Sequence, residues 1–265
     1  MLKNKPTTLL AVDIGNTMIS LGVLRGKSVV AVGEVETRLP YPKLPAALKK
    51  VLDKFKKNFL FEDCIICSVV PPVLSQVKTA IQKNLKIRPS VIGQDFSVPI
   101  INRYRNPKQV GQDRLVGAYA ALKFYGAPAI VIDFGTAITF DVVSKRKEYL
   151  GGIIVPGIRL SAESLFHKTA LIPRIDIVKP GPLIGKDTQQ SVLSGMFYGY
   201  GAMSRGLITL LTKELKAKPK VIVTGGYTSQ MKKYIASQVT KVDRYLVFKG
   251  LYLLWENSGR NKTIY

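Results

Sequence analysis

The feature that most constrains this fold is an internal repeat. One apolar run ends in VDIGNT at residues 12–17, and about 120 residues later another ends in IDFGTA at residues 132–137. Each copy continues as an apolar run, a short polar turn and a further apolar run. This alternation predicts three strands joined by tight turns. The chain is therefore predicted to contain two similar halves.

Both repeated turns carry groups suited to phosphate and metal. Glycine lets the backbone approach a phosphate closely. Threonine hydroxyls and backbone N–H groups bond to phosphate oxygens, and the aspartate carboxylates can hold Mg²⁺ directly or through water. A third glycine turn, Gly225-Gly226, follows the apolar run at residues 221–224. A single Asp-x-Gly turn occurs in many hairpins, but three such turns are expected of the actin-like ATPase and sugar-kinase superfold.

Helical patterns separate the strand segments. Residues 44–61 and 109–125 place apolar side chains at helical spacing, and an apolar strand at residues 64–70 ends at two prolines. We predict an α/β protein of two duplicated actin-like (ribonuclease H-like) domains with a cleft between them. The first repeated turn, at residues 12–17, would be a phosphate loop in an N-terminal domain, residues 1–115. The second repeated turn, at residues 132–137, would be a second phosphate loop, and Gly225-Gly226 would be an adenosine loop; both lie in a C-terminal domain, residues 116–265.

Composition narrows the class further. The chain is 46% hydrophobic, which argues against disorder, and it has no apolar run of the ~20 residues that a membrane span needs. Cys64 and Cys67 are too few for a disulfide scaffold and are predicted to be buried in a strand. We expect a cytoplasmic protein without a membrane partner. The polar residues from Glu256 to the end are expected to fray.

The formal net charge of +23 is the least expected bulk property. It is compatible with nucleic acid, with attraction of anionic substrates such as ATP, or with a lysine-rich solvated surface. The lysines are spread along the chain, and no zinc-finger spacing or helix-turn-helix pattern organises them. A solvated surface is the favoured interpretation, and nucleic acid is not favoured as a partner.

Several motifs resemble those of type III pantothenate kinases, in the same order and over nearly the whole chain. They are CSVVPP at 67–72, Asn106-Pro107, VGQDRLV at 110–116, DFGTAIT at 133–139, GGIIVPG at 151–157, TALIP at 169–173 and GKDT at 185–188. The resemblance implies ATP-dependent phosphorylation of pantothenate to 4'-phosphopantothenate, the first step of coenzyme A biosynthesis. It also implies a homodimer that uses Mg²⁺ and a monovalent cation, K⁺ or NH₄⁺.

Roles carry over onto the matching positions. Asp113 resembles the general base that takes the proton of the substrate hydroxyl. Thr188 resembles a position that reaches pantothenate near the dimer interface. The remaining substrate-binding positions are Tyr104, Gly111, Gln112 and Arg114. Arg114 suits this role because its guanidinium can pair bidentately with a carboxylate such as that of pantothenate.

The resemblance assigns ATP to three loops. The ATP-binding positions are Asp13, Ile14, Gly15, Asn16, Thr17, Met18, Ile19, Ser20, Thr136, Gly225 and Gly226. Ser20 stands where some members of the family carry a basic residue. Asp13 is expected to meet Mg²⁺ through ATP, and Asp133 resembles the ligand of the monovalent cation.

Two other functions stay open on the sequence alone. Members of this family have also been named as accessory factors in gene regulation, so a non-catalytic regulator that binds nucleic acid is one alternative. A sister kinase of the same superfold with another acceptor is the second, because the phosphate loops alone do not choose the acceptor.

Overall fold

A computed structural model describes residues 7–259 of the chain, which form two compact α/β units. Among the described residues, the first unit contains residues 7–100, 106–120 and 245–259. The second unit contains residues 101–105 and 121–244. Within residues 7–259, no helix is both long enough and apolar enough to cross a membrane.

The first unit is built on a sheet with the strand order β3-β2-β1-β4-β5. The three strands of the first repeat pair antiparallel, and the other two join in parallel. The strands are β1 (Thr7–Ile14), β2 (Met18–Arg25), β3 (Ser28–Glu36), β4 (Leu60–Ser68) and β5 (Ser90–Val91). The helices are α1 (Lys43–Lys56), α2 (Pro71–Leu85), the N-terminal part of α3 (Gln112–Tyr125) and α8 (Leu246–Asn257).

Apolar patterning explains how this unit closes. Every side chain from Leu9 to Val12 is at most 1% exposed, as expected for a central strand covered on both faces. Helix α1 presents Leu44, Leu48, Leu52 and Phe55 to the same core, at helical spacing, and leaves its lysines in solvent. The predicted amphipathic helix is therefore confirmed, although it ends at Lys56.

The second unit repeats this topology. Its sheet has the order β11-β10-β7-β8-β9-β6, so β9-β8-β7-β10-β11 follows the same path as the sheet of the first unit. The strands are β6 (Ile101–Asn102), β7 (Ala129–Phe134), β8 (Ala137–Val143), β9 (Glu148–Pro156), β10 (Lys220–Thr224) and β11 (Lys241–Val242). The helices are α4 (Ile158–Lys168), α5 (Thr188–Ser194), α6 (Tyr200–Glu214) and α7 (Thr228–Ile235), with a π-helical turn at Gly195–Gly199. The predicted duplication is confirmed.

The division of the chain differs from the expected boundary after residue 115. The final helix α8 was assigned to the C-terminal half, whereas it packs in the first unit. Its buried apolar side chains pack against the sheet of that unit, and the Trp255 indole N–H donates to the Asp63 carboxylate at 2.9 Å. The tail expected to fray from Glu256 is helical as far as Asn257, and residues 260–265 lie outside the described part of the chain.

Candidate active site

The predicted first phosphate loop connects β1 to β2. The Gly15 N–H donates to the carbonyl oxygen of Met18 at 3.0 Å, which closes a tight turn with Asn16 exposed at its tip. A side chain at position 15 would place its Cβ 3.3 Å from the Met18 oxygen, so the turn favours glycine. Backbone N–H groups at such a turn are available to phosphate oxygens.

Thr37 holds this loop from the end of β3. Its hydroxyl donates to the Gly15 carbonyl oxygen at 2.7 Å, and its N–H donates to the Thr17 carbonyl oxygen at 2.9 Å. Thr37 is buried. Both ends of the turn are therefore fixed by one residue that lies outside the motif.

The other residues assigned to this loop differ in what they present. Ile14 and Ile19 are fully buried in the hydrophobic core, so only their backbone atoms are available to a ligand. Met18 and Ser20 are half-buried, and Ser20 pairs with Asp13 across β1 and β2. The resemblance gave all four positions to ATP, and the structure restricts the isoleucines to main-chain contacts.

Asp113 lies in the first turn of α3, as predicted. Its Oδ1 accepts the Arg114 N–H at 2.8 Å and folds back over Gly111, where any side chain would collide with it. Burial raises the pKa of the Asp113 carboxyl, and the Arg114 N–H and guanidinium oppose that rise. The carboxylate is thus partly withdrawn from water yet retains donors for its charged form.

Asp13, Cys67 and Asp113 meet in the first unit. Asp13 pairs directly with Cys67 across the parallel strands β1 and β4. Burial raises the pKa of the Cys67 thiol well above its ordinary value, and the Asp13 and Asp113 carboxylates raise it further. The thiol therefore stays neutral beside two carboxylates that were predicted to serve metal and base. Both cysteines are free and buried, which confirms their predicted position.

Gln112, also assigned to the substrate, packs its amide against Gly93. A Cβ at Gly93 would lie 3.1 Å from the Gln112 Cδ, and Gly93 has a φ of +84°. This contact ties the start of α3 to the end of β5. Gln112 thus supports the turn that presents Asp113.

The second unit contains the matching loop after β7. The Gly135 N–H donates to the Ala137 carbonyl oxygen at 3.2 Å, and the exposed Thr136 stands at the tip. Gly157, directly after β9, donates its N–H to the Thr136 carbonyl oxygen at 3.0 Å. A side chain at 157 would collide with the carbonyl oxygens of Gly135 and Thr136.

Gly225 brings the predicted adenosine loop against the second phosphate loop. It has a φ of +97°, and a Cβ there would collide with the Asp133 carboxylate and the Phe134 backbone. The Tyr227 N–H donates to the Phe134 carbonyl oxygen at 3.1 Å. The structure therefore brings together Asp133, Gly135 and Gly225 within this unit, while Gly226 is exposed beside them.

The remaining substrate positions lie on other elements of the second unit. Tyr104 is half-buried, its ring rests on Gly151, and its N–H donates to the Asn102 side-chain oxygen at 3.0 Å. Thr188 opens α5 in an exposed position. Asp187 is the N-cap of that helix and accepts the Gln190 N–H at 2.7 Å.

No group of three or more His, Cys, Asp or Glu side chains within residues 7–259 is arranged to hold a metal ion. A surface cavity of about 600 Å³ in the second unit is lined by parts of β9 and the end of α6, and includes none of the predicted site residues.

Comparison with known families decides the assignment. A sequence model of the type III pantothenate kinase family matches residues 9–210. The chain belongs to this family. It is a phosphotransferase, and the family ties it to ATP and to coenzyme A biosynthesis.

Solved structures support the fold of this kinase. It resembles the ethanolamine utilization protein EutJ from Carboxydothermus hydrogenoformans, with a TM-score of 0.55 and 13% identity over 96% of this chain and 94% of that chain. It also resembles a ROK family glucokinase from Streptomyces griseus, with a TM-score of 0.55 and 13% identity over 94% and 99%. Component A of (R)-2-hydroxyglutaryl-CoA dehydratase from Acidaminococcus fermentans gives a TM-score of 0.53 and 12% identity over 97% and 100%. At these identities the likeness shows the fold alone, which confirms the actin-like class.

Sequence reasoning missed two residues that shape the phosphate loops of this kinase. Thr37 and Gly157 each follow the third strand of a repeat and bond back to the loop between the first two strands. Their shared place in the repeat is a signal that a comparison of the two halves offers. Thr37 lies outside the motifs that carry the resemblance, and Gly157 ends the GGIIVPG motif without a role assigned to it.

Proposed function

We propose that this kinase transfers the γ-phosphoryl group of ATP to the hydroxyl of pantothenate and forms 4'-phosphopantothenate. The observation that carries the proposal is the carboxylate of Asp113, half-buried at the start of α3, with Arg114 beside it and Asp13 nearby. A base of this kind suits phosphoryl transfer, which depends on positioning and charge neutralisation more than on covalent chemistry.

The loops are assigned to ATP by what they offer. Gly15 to Thr17 supplies backbone N–H groups and a hydroxyl, and Thr136 supplies a second hydroxyl at an exposed tip. Gly225 and Gly226 are assigned to the adenosine. Glycine is the residue that fits at position 225, because a Cβ there would collide with the Asp133 carboxylate. Side chains at the glycines of these loops would restrict the approach of a phosphate group or of the adenine ring.

The residues present suit the expected ions. Asp13, the last residue but one of β1, has a half-buried carboxylate, an oxygen ligand of the kind that Mg²⁺ prefers, and it would hold the ion directly or through water. Mg²⁺ would supply neutralisation of phosphate charge. Asp133 is proposed to hold the monovalent cation, K⁺ or NH₄⁺, because its Oδ1 lies close to both glycine turns, at Gly135 and Gly225.

Substrate positioning falls to four further residues. The Arg114 guanidinium would pair with the pantothenate carboxylate, and Tyr104, Gly111 and Thr188 would contact the rest of the molecule. Asp113 would accept the hydroxyl proton at its carboxylate as the phosphoryl group arrives. This assignment separates pantothenate from other acceptors, which the phosphate loops alone do not do.

A coupled phosphorylation assay tests the proposal. ATP, Mg²⁺ and pantothenate are supplied with potassium, with ammonium or with sodium as the only monovalent cation. Pantothenate-dependent turnover that collapses in sodium supports both the acceptor and the role of Asp133. ATP binding without pantothenate turnover in any salt would reject pantothenate as the acceptor.

The homodimer that the family resemblance implies belongs to the same proposal. Large apolar side chains are exposed in the irregular segment that leads to Thr188, with Leu171 at 90% and Ile184 at 79% exposure. Exposed apolar side chains of this size are typical of association surfaces. Light scattering with size exclusion tests this, and a mass of one chain at micromolar concentration would reject it.

A further inference from the structure

The segment that carries Tyr104 is held in the second unit by few backbone contacts. β6 pairs with β9 through only Ile101 with Glu148 and Asn102 with Tyr149. One more backbone bond follows, from the Arg103 N–H to the Tyr149 carbonyl oxygen at 2.8 Å. A two-residue strand at a sheet edge is weakly held by itself, so side-chain contacts decide where this segment rests.

An ion pair with Glu148 supplies the first of these contacts. Two guanidinium nitrogens of Arg103 donate to the Glu148 Oε1, Nε at 3.0 Å and Nη2 at 2.5 Å. The Glu148 side chain is 11% exposed, whereas that of Arg103 is 58% exposed. A buried carboxylate without a hydrogen-bond donor raises the free energy of the folded protein. The position of Arg103 that donates to Glu148 is therefore favoured. The backbone next to Tyr104 is thereby fixed.

Gly151 supplies the second contact, against the ring itself. A Cβ at this position would lie 3.2 Å from Cδ2 and 3.3 Å from Cε2 of Tyr104. Gly151 has a φ of +118° and lies at the register shift of β8 and β9. The bare backbone there forms the surface on which the aromatic ring lies. Glu148 and Gly151 therefore hold the two sides of one short segment.

We infer that Glu148 and Gly151 of β9 are positioning residues for pantothenate, acting through Arg103 and Tyr104. This inference rests on the proposed function, in which Tyr104 contacts pantothenate. Neither residue touches the reacting atoms. Their effect is to hold the Tyr104 ring in one place, which lowers the entropy lost when the substrate binds.

Glu148→Gln is the central variant, because it keeps the side-chain shape and removes the charge. We expect the KM for pantothenate to rise about tenfold, because the variant loses the ion pair that holds Arg103. The KM for ATP and kcat stay within about twofold, because the phosphate loops and Asp113 are untouched. Glu148→Asp restores part of the loss. Tyr125→Phe removes the 2.7 Å bond to Asp243 in the same unit and is the matched control, with both KM values unchanged.

Gly151→Ala tests the contact with the ring. We expect a similar rise in the KM for pantothenate. Gly126→Ala is its control, because Gly126 also has a positive φ, +88°, but no atom lies within 4 Å of the added Cβ. Both variants carry the backbone strain, and only Gly151→Ala displaces Tyr104. Equal effects of the two on the KM for pantothenate would reject the role of Gly151.

A double-variant cycle with Tyr104→Ala separates positioning from general destabilisation. Glu148→Gln adds no further rise in the KM for pantothenate once the Tyr104 ring is gone. The same rise in both backgrounds, or an unchanged KM in the single variant, would overturn the inference.

Hydrogen–deuterium exchange gives a readout that does not need turnover. Glu148→Gln should speed exchange in residues 101–105, while Tyr125→Phe leaves that segment at the wild-type rate. If wild-type protein fails to phosphorylate pantothenate, the proposed function fails. Exchange then decides whether Glu148 holds the segment, and unchanged exchange at residues 101–105 rejects that too.

Discussion

The carboxyl of Asp113 combines two demands that oppose each other. Burial favours its neutral form, whereas a general base must be ionised. The Arg114 N–H and guanidinium supply part of the stabilisation that water would give. Cys67 adds no charge, because its raised pKa keeps the thiol neutral. A general base at this position would therefore be an ionised group that burial disfavours.

Replacing Asp113 by Asn should remove activity without weakening the fold. We expect kcat to fall about 100-fold or more. The folded pKa of Asp113 lies above its unfolded value, so its contribution to stability falls as pH rises from the unfolded pKa through the folded pKa. Above the folded pKa that cost is fully present, and the neutral amide of the variant escapes it. Tm of the variant at pH 7 should equal or exceed that of wild type. A lower Tm would mean that the lost activity reflects unfolding.

The same shift sets the acidic limb of the pH profile. The base must lose its proton to act, so kcat/KM should rise with pH around the folded pKa of Asp113. We expect the midpoint of that limb above 3.8, the ordinary aspartate value. Initial rates between pH 4 and 8, at pantothenate concentrations well below KM, measure it. A profile that is flat down to pH 4 would contradict the raised pKa.

At the scale of secondary-structure elements, each phosphate loop is closed by the residue that follows a third strand. Thr37 does this with a hydroxyl and an N–H, and Gly157 does it with an N–H alone. The two halves thus hold equivalent loops with different residues, a threonine in the first and a glycine in the second. In the second half the loop approaches so closely that glycine is the residue that fits.

Thr37→Val should loosen the first loop while preserving shape and burial. One buried hydrogen bond to the Gly15 carbonyl is lost, so we expect the KM for ATP to rise about three- to tenfold. Thr8→Val is the matched control, because the Thr8 hydroxyl also donates to a carbonyl, that of Leu60, at 3.1 Å in the same unit. A KM for ATP that responds equally to both variants would assign the effect to general destabilisation.

The sequence predicted the long elements well and the short ones poorly. Helix α1 and strands β1 and β7 follow from apolar periodicity, because each buries a continuous face. The strands β6 and β11 have two residues each, and their existence depends on a partner strand far along the chain. No local pattern encodes such a pairing.

For the site, motifs gave the chemical groups and the structure gave their neighbours. Asp13 and Asp113 are assigned from their motifs, yet their common neighbour Cys67 follows only from the pairing of β1 with β4 and from packing. The motif also did not predict that the side chains of Ile14 and Ile19 are buried. A motif says which residues are present in a loop, whereas burial depends on packing elsewhere.

At the scale of the whole molecule, the final helix completes the first unit. α8 packs its apolar face there, and Trp255 is 3% exposed with its N–H on Asp63. The Asp63 carboxylate also accepts the Cys64 N–H, which fixes it in β4. The last helix is thus bonded to a strand near the middle of the sheet.

Trp255→Phe should lower the free energy of unfolding by about 1–3 kcal/mol, because the variant loses a hydrogen bond to a charged group. Urea unfolding followed by far-ultraviolet circular dichroism measures it, since the sole tryptophan is removed. Tyr252→Phe is the control and loses only a bond to Glu256 within the same helix, so we expect a change near 0.5 kcal/mol. Equal decreases in the free energy of unfolding in both variants would show that the bond to Asp63 stabilises the protein no more than the bond within the helix.

The placement of α8 has a consequence for biosynthesis. A ribosome makes β1 before the second unit, whereas α8, the helix that covers β1, emerges after it. The second unit, residues 101–105 and 121–244, is synthesised in between. The first unit is therefore completed only after the second, and nascent chains that stall before residue 245 expose an uncovered apolar strand to chaperones and proteases.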